Sequence, residues 1–599
     1  MNFQQIVQQI LPGCESRPAQ VEMAEAVKFV MDEGGKLIVE APTGTGKSFA
    51  YLIPAALRDF ESRTVVATSN IALQEQLLLK DLPLVQKAFP SIRFALAKGK
   101  SNFLCRYRYR KNLDFVRRGI KRWAAKTQTG DMAELPFDPG VVWAKISATH
   151  EQCRGRKCPD YDDCYAVLAR KSWDDSDILV VNYHLLAINM MFGGSFLPGF
   201  DHLVMDEGHN AADVFRQCLG ARISKARLHR MSRKLDNISG HPLARVSGRE
   251  ITRLNGFFDK VLNFIDRSPN EVLAVAVPGC SEAADQLLGI ISGLTVPEKD
   301  DEFGDFESMR RQCRSLASDL ARCGEDMNKV SEVVSITDEK LEIRYLHVGD
   351  VLKKDMYPYI DSLTVTSATL AVDGTFEYVA EELGIEEAYP LILDSPFDPE
   401  RVLIVKPEIQ VKPNNERYPK IIPLAAKEVI RQTGGRALIL CTSYKMLNAI
   451  GDALDMGHEV FVQGGGLQRS QMVEAFKEDK SSVILGTMSF WEGIDVPGDA
   501  LVCVMMDKLP FPHFNDPVQI GLKRNGVDTF KDFSLPRAVI KMKQGLGRLI
   551  RRKDDYGVVV ICDPRIDTAG YGAKFRRCLP PSPTTTDLGE ISKFLRRFE

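Results

Sequence analysis

The stretch KLIVEAPTGTGKSFAYLIPAALRDF, starting at Lys36, constrains this chain more than any other. A short apolar run enters a glycine-rich turn and leaves it as a helix-compatible segment, the context in which a Walker A loop works. Backbone N–H groups in such a turn curl around phosphate oxygens, and the helix N-terminus adds its partial positive charge. The expected cradle is Ala41, Pro42, Thr43, Gly44, Thr45, Gly46, Lys47 and Ser48, with Ala41 standing where the usual pattern has its leading glycine. Lys47 would neutralise the β and γ charges of a nucleoside triphosphate, here ATP, and the Ser48 hydroxyl would ligate Mg²⁺.

Such a loop needs a parallel sheet behind it, and the chain supplies material for two. Short apolar runs at KLIVE, TVVAT, ILVVN, HLVMDE and LTVTSATL alternate with helix-like segments. A second series follows in RVLIVKP, RALILC, EVFVQ, SVILGT, LVCVMM and GVVVIC. Near-continuous apolar strands of this kind are buried on both faces, so the fold class is α/β with two parallel-sheet domains. Residues 1–97, 174–210 and 346–397 are assigned to the first and 398–599 to the second. Residues 98–173 and 211–345 interrupt the first as insertions. The latter carries helical periodicity, as in ITRLNGFFDKVLNFIDR, with few strand signals, and its acidic run PEKDDEFGDFE reads as a solvated loop. The former is poor in apolar residues and is not expected to build its own core.

Two further patterns complete a nucleotide site. HLVMDEGH ends a buried strand in adjacent carboxylates: Asp206 would hold Mg²⁺ and Glu207 would polarise the attacking water, with His209 beside them. QGLGRLIRR, Gln544 to Arg552, reads as a helix whose Arg548 and Arg551 share one face and reach the γ-phosphate from the second domain.

Composition decides what else the chain can be. At 599 residues and a net charge of −2 it is no uniformly basic binder, so a nucleic-acid surface must be local. Lys98 to Lys126 is that locality: eleven Lys or Arg against the single acid Asp114, with Tyr107 and Tyr109 alternating with Arg106, Arg108 and Arg110. Phosphate attraction combined with ring stacking is the chemistry of single-strand binding. The N-terminal residues have no secretory character and no apolar run approaches the ~20 residues that span a bilayer, which makes the cytoplasm the expected compartment, with no membrane partner. Only about sixteen residues precede Arg17, so no appended nuclease is expected there. Thirteen cysteines without a signal point to reduced thiols. Four of them, Cys105, Cys153, Cys158 and Cys164, make a thiolate set whose spacing suits zinc and an iron–sulfur cluster equally.

RPAQ, APTGTGKS, VVATSNIALQEQL, DEGH, VTSATL, LGTMSFWEGIDVPG and QGLGRLIRR, in that order, resemble the motif series of superfamily 2 helicases. KGKSNFLC, VVNYHLL, SPFD and DKLPFP narrow the resemblance to the DinG/YoaA-type branch of the XPD-like iron–sulfur helicases. That resemblance implies adenine recognition by Arg17 and Gln20, nucleotide sensing by Gly493 and Asp495, and contact of Thr68 and Ser69 with a DNA backbone. It also implies a RecA-like fold for each of the two parallel-sheet domains, a [4Fe–4S] cluster on the four cysteines and an Arch-like role for the helical insertion. One departure is Gly208, where the family usually has Ala. The expected activity is an ATP-dependent DNA helicase, a monomer moving 5′ to 3′ on single-stranded DNA and opening tailed or forked duplexes, with R-loops (RNA–DNA hybrids) and D-loops as further substrates and a single-strand-binding or loading protein as a partner. The rivals are a zinc-stabilised ATPase that remodels protein–nucleic-acid complexes without unwinding, and an inactive nucleic-acid-binding subunit.

Overall fold

The computed structural model describes residues 3–13, 17–58, 62–69, 71–239, 241, 244–268, 270–295, 306–325, 330–454, 457–491, 496 and 498–599. The first sheet is built from β1 (Gly35–Glu40), β2 (Thr64–Thr68), β3 (Phe94–Leu96), β4 (Ile178–Asn182) and β5 (His202–Asp206). After β6 (Ala221–Ser224), β7 (Glu332–Thr337) and β8 (Lys340–Tyr345), which form a sheet of their own, β9 (Ser362–Ser367) and β10 (Ala388–Ile392) complete it. Its order is β10-β1-β9-β5-β2-β4-β3, with every neighbour parallel. All five residues of β2 and of β5 are buried, as strands covered by helices on both faces must be.

The late-arriving β9 lies between β1 and β5, with Glu40 opposite Ser367 and Asp206 opposite Thr366. The C-terminal ends of these three strands therefore meet at one place, where open α/β sheets bind ligands. The second sheet comprises β11 (Val402–Val405), β12 (Ala437–Leu440), β13 (Val460–Val462), β14 (Val483–Gly486), β15 (Cys503–Met506), β16 (Gly557–Ile561) and β17 (Thr584–Thr585). It is also wholly parallel, in the order β13-β14-β12-β15-β16-β11-β17.

Both insertions depart from the sequence expectation. The cysteine-bearing one does have a core, a small one: Phe103, Leu104, Val116, Ile120, Trp143, Ile146 and Tyr165 pack together. The second insertion packs helices Lys225–Ile238, Gly248–Arg267, Cys280–Gly293 and Phe306–Cys323 against the antiparallel sheet β6-β8-β7, so it is not purely helical. Helix Gly248–Arg267 starts with a capping box, Ser247 and Glu250 satisfying each other's backbone N–H groups. The acidic run falls outside the described residues up to Asp305, and its last two residues open helix Phe306–Cys323.

The second domain leans on this insertion as well as on the first domain. Helix Pro517–Arg524 packs Val518 and Leu522 against Val333 and Leu346. Arg524 Nη1 donates to the Leu273 carbonyl at 2.6 Å. Among the described residues no helix is long and apolar enough to cross a membrane.

Candidate nucleotide site and cysteine-lined insertion

Gly44 (φ 81°) and Gly46 (φ 86°) take left-handed backbone conformations that let the loop after β1 curl before helix Lys47–Leu57 begins. A Cβ on Gly46 would strain this backbone and, 2.2 Å from Gln20 Nε2, push the Gln20 side chain aside. Arg17 Nη1 donates to the Gly44 carbonyl at 2.7 Å and Gln20 Nε2 to the Gly46 carbonyl at 2.9 Å. These two residues thus clasp the cradle itself in this structure. Thr45 is buried, its hydroxyl donating to the Pro42 carbonyl at 2.7 Å, and Lys47 Nζ donates to the Ala41 carbonyl at 3.1 Å.

At the end of β5 the Asp206 carboxylate accepts from Tyr51 Oη (3.0 Å) and from the Glu207 N–H (3.0 Å), while Tyr183 Oη donates to its carbonyl (2.7 Å). Burial first, and the Glu207 charge second, raise the Asp206 carboxyl above the usual range. Burial pushes Glu207 the same way, but Lys47, then His209 and the Ser367 hydroxyl, outweigh it and hold Glu207 ionised. Glu207 sits at φ 55°, a left-handed position that turns its side chain toward β9. There Ser367 Oγ donates to Glu207 Oε2 (3.0 Å) and lies 2.7 Å from His209 Nδ1, which is itself 3.3 Å from the same carboxylate oxygen.

Ser367 was absent from the expected site, although VTSATL held the signal: a hydroxyl at the end of the strand that separates the two nucleotide-binding strands. Gly208 also gains a physical meaning. A Cβ there would come within 2.4 Å of Val365 Cγ1, so the β-branched residue of β9 occupies the space of the missing methyl.

From the second domain, helix Leu535–Leu546 brings Gln544 into the cleft, 4% exposed and with Oε1 lacking a hydrogen-bond partner. The helix ends there. Gly547 is its cap, so Arg548 and Arg551 lie in the turn and loop beyond it rather than on one helix face. The backbone is held instead by Asp555, which accepts from the N–H groups of Arg551 and Arg552, both at 2.8 Å. Arg548 is near enough to favour ionised Glu207, and Thr43 Oγ1 reaches the Ile550 carbonyl at 3.4 Å, joining cradle and loop across the cleft. Gly493 and Asp495 lie outside the described residues. Thr68 is wholly buried at the end of β2, leaving Ser69, half-buried, as the nearer of the two to any strand.

The four cysteines are half-buried and line one cavity of about 330 Å³. Lys100 Nζ and the Gly155 N–H both donate to Cys153 Sγ at 3.4 Å. Burial, with the neighbouring Cys158 and Cys164 adding, pushes the Cys105 thiol up to about 11. Among the described residues no three His, Cys, Asp or Glu side chains converge tightly enough to hold a single bare ion. The cavity is closed on its far side by the helical insertion, through Lys234, Asn237, Ser308 and Gln312. Arg311 Nη2 donates to the Cys153 carbonyl at 2.6 Å and Ser308 Oγ to the Glu151 carbonyl at 2.7 Å.

The basic stretch divides in two. Arg106 stacks on Tyr165 (4.4 Å), Arg108 is more than half buried and donates to the Ala144 carbonyl (2.9 Å), and Arg110 makes two bonds of 2.5 Å to Asp160. Tyr107 lies between Lys111 and Arg154, and Tyr109 packs against the small core. Arg106, Tyr107, Arg108 and Tyr109 brace the insertion rather than standing open to phosphate, whereas Arg110 pairs with Asp160 at the surface. The exposed charges are Arg110, Lys111, Arg117, Arg118, Lys121, Arg122 and Lys126.

Two parallel sheets with a phosphate cradle, paired carboxylates and an arginine of the second domain beside them define a two-domain nucleotide-driven motor of the superfamily 2 helicase class. Residues 17–103 match the DEAD/DEAH box helicase family and residues 426–582 the helicase C-terminal domain. A solved XPD helicase superposes with a TM-score of 0.60 over 95% of this chain and 99% of its own at 16% identity, and Xpd4 of S. tokodaii does so with 0.60 over 95% and 100% at 13%, a likeness of fold. In sequence, the chain is 31% identical to the ATP-dependent DNA helicase YoaA of Haemophilus influenzae and 32% identical to that of Escherichia coli, each over 98% of this chain and 97% of the relative. It is 30% identical to the ATP-dependent helicase DinG of Mycobacterium tuberculosis over 98% and 96%. The chain belongs to the YoaA/DinG family of ATP-dependent DNA helicases.

Proposed function

We propose that this chain is an ATP-driven translocase that moves 5′ to 3′ on single-stranded DNA and opens tailed or forked duplexes, with R-loops and D-loops as further substrates. The observation that carries the motor part is the convergence of Lys47, Asp206, Glu207, Ser367 and Arg548 on one cleft between the two sheets. Glu207, kept ionised by Lys47 and His209 and oriented by Ser367, takes a proton from water as the water oxygen attacks the γ-phosphorus and the bond to the ADP oxygen breaks. Arg548 and Arg551 meet charge developing on the transferred group, an effect worth ~10³–10⁵ in rate for such arginines. Ser48 and Asp206 are the residues that would hold Mg²⁺, which supplies charge neutralisation between the β and γ phosphates.

The four cysteines fit a [4Fe–4S] cluster. All four line one cavity, and Lys100 Nζ and the Gly155 N–H donate to Cys153 Sγ, as N–H groups do to the sulfurs of a bound cluster. Cys105, Cys153, Cys158 and Cys164 would be its ligands. The division into 1–97 with 174–210 and 346–397, 98–173, 211–345 and 398–599 is proposed with this reading, and the separate cores of the two insertions support it.

Strand displacement on 5′-tailed, 3′-tailed and forked duplexes tests the reading. Unwinding of the 5′-tailed and forked substrates, abolished by Lys47→Ala along with ATP hydrolysis, is the expected result. DNA-stimulated hydrolysis without displacement, in protein that carries zinc, would favour a remodelling ATPase instead.

A further inference from the structure

Glu40, the last residue of β1, is 8% exposed, and three donor groups make four hydrogen bonds to its carboxylate. Its Oε2 accepts the N–H groups of Leu370 and Ala371, at 2.6 and 2.7 Å, in the segment that follows β9. Across the cleft, Lys543 of helix Leu535–Leu546 donates to both carboxylate oxygens, at 2.5 and 2.6 Å, and to the Ala371 carbonyl at 3.1 Å. Lys543 immediately precedes Gln544. One carboxylate thus joins the residue before the cradle, the loop after β9 that carries Ser367, and the helix that delivers Gln544 and leads to Arg548.

We infer that Glu40 and Lys543 are positioning residues that latch the two α/β domains in the arrangement competent for hydrolysis. The two amides belong to the same domain as Glu40 and stay with it when the cleft opens. Only Lys543 leaves, exchanging the carboxylate for water. The pair therefore biases closure rather than the folding of either domain. A buried carboxylate that loses its cation in the closed state carries an uncompensated charge, so removing one partner costs more than removing both.

The inference rests on the motor reading above and is tested with variants that touch neither nucleotide nor DNA. Lys543→Met should lower DNA-stimulated ATP hydrolysis about ten- to a hundredfold with little change in nucleotide affinity. Glu40→Gln should lower it less. The double variant Glu40→Gln/Lys543→Met should recover at least about tenfold over Lys543→Met alone. Single variants at the wild-type rate, or a double variant whose loss is the product of the singles, would overturn the latch.

Closure is read separately, by small-angle scattering with a non-hydrolysable ATP analogue and single-stranded DNA. The wild type should compact, Lys543→Met should not, and the double variant should compact again. Equal compaction of all three would also overturn the latch. Wild-type protein that compacts but hydrolyses nothing would sink the motor reading and leave the latch standing.

Discussion

The two insertions in the first domain solve the same folding problem by different means. Residues 211–345 gather thirty-one buried apolar side chains, among the described residues, into one cluster. Residues 98–173 gather seven. The first is of the size at which apolar burial outweighs chain entropy without help. The second is of the size at which small domains recruit a metal or another cross-link. Its arginines share the work: Arg106 and Arg108 are turned inward to stack and cap a carbonyl, and Arg110 pairs with Asp160 at the surface. A stretch that reads as a DNA-binding surface has been partly spent on construction.

The largest break in this comparison should come from Cys158→Ser. With the cluster and the activity proposed above, iron content and its visible absorbance should be lost, unwinding should vanish, and part of the ATPase should remain, because the nucleotide site uses no residue of the insertion. Proteolysis should then cut within 98–173 and spare 211–345. A metal-free variant whose insertion resists proteolysis would mean that seven buried side chains suffice.

The opposite experiment is Leu254→Ala, at the centre of the helical core, which should destabilise that insertion by about 2–5 kcal/mol, read by amide exchange in helix Gly248–Arg267, while iron content stays at the wild-type level. Loss of iron in this variant would show that the two insertions stand or fall together. Arg311→Ala probes the seam between them. Losing the bonds to the Glu151 and Cys153 carbonyls should speed amide exchange around residues 150–155 by about tenfold, consistent with charged hydrogen bonds of ~1.5–3 kcal/mol, with both cores intact. The smallest effect is expected from Arg117→Glu with Arg118→Glu. These exposed charges lie outside the bracing set, so single-strand affinity should weaken and its salt dependence flatten by roughly one unit of slope per lost phosphate contact, without change in metal content.

What was legible in the sequence follows the distance over which each signal acts. All eleven named strand runs form strands, because a short, mostly apolar run between turns carries its own evidence. The cradle and the Asp206–Glu207 pair were legible for the same reason. The hairpin β7–β8 was not: its two-residue turn is Asp338-Glu339, both at positive φ (44° and 62°), where the usual signal is Asn-Gly or Asp-Gly. Arg548 and Arg551 were misplaced on a helix because helical spacing persists in the sequence past the glycine at which the helix stops. Glu40 and Lys543 could not be read at all, since each depends on partners 172 to 503 positions away.

The place of β9 between β1 and β5 has a consequence on the ribosome. When β5 has emerged, its final neighbour on the β1 side has not been made. Roughly 155 further residues, about 8–30 s of synthesis at ~5–20 residues per second, separate the end of β5 from the strand that must slide in beside it. During that interval both insertions can fold, but Glu207 has no Ser367 and Glu40 has no amides to bind. The nascent chain therefore carries two recognisable nucleotide motifs and no nucleotide site, and a pair of buried strand edges waiting for a third strand is the window in which a chaperone would find this protein.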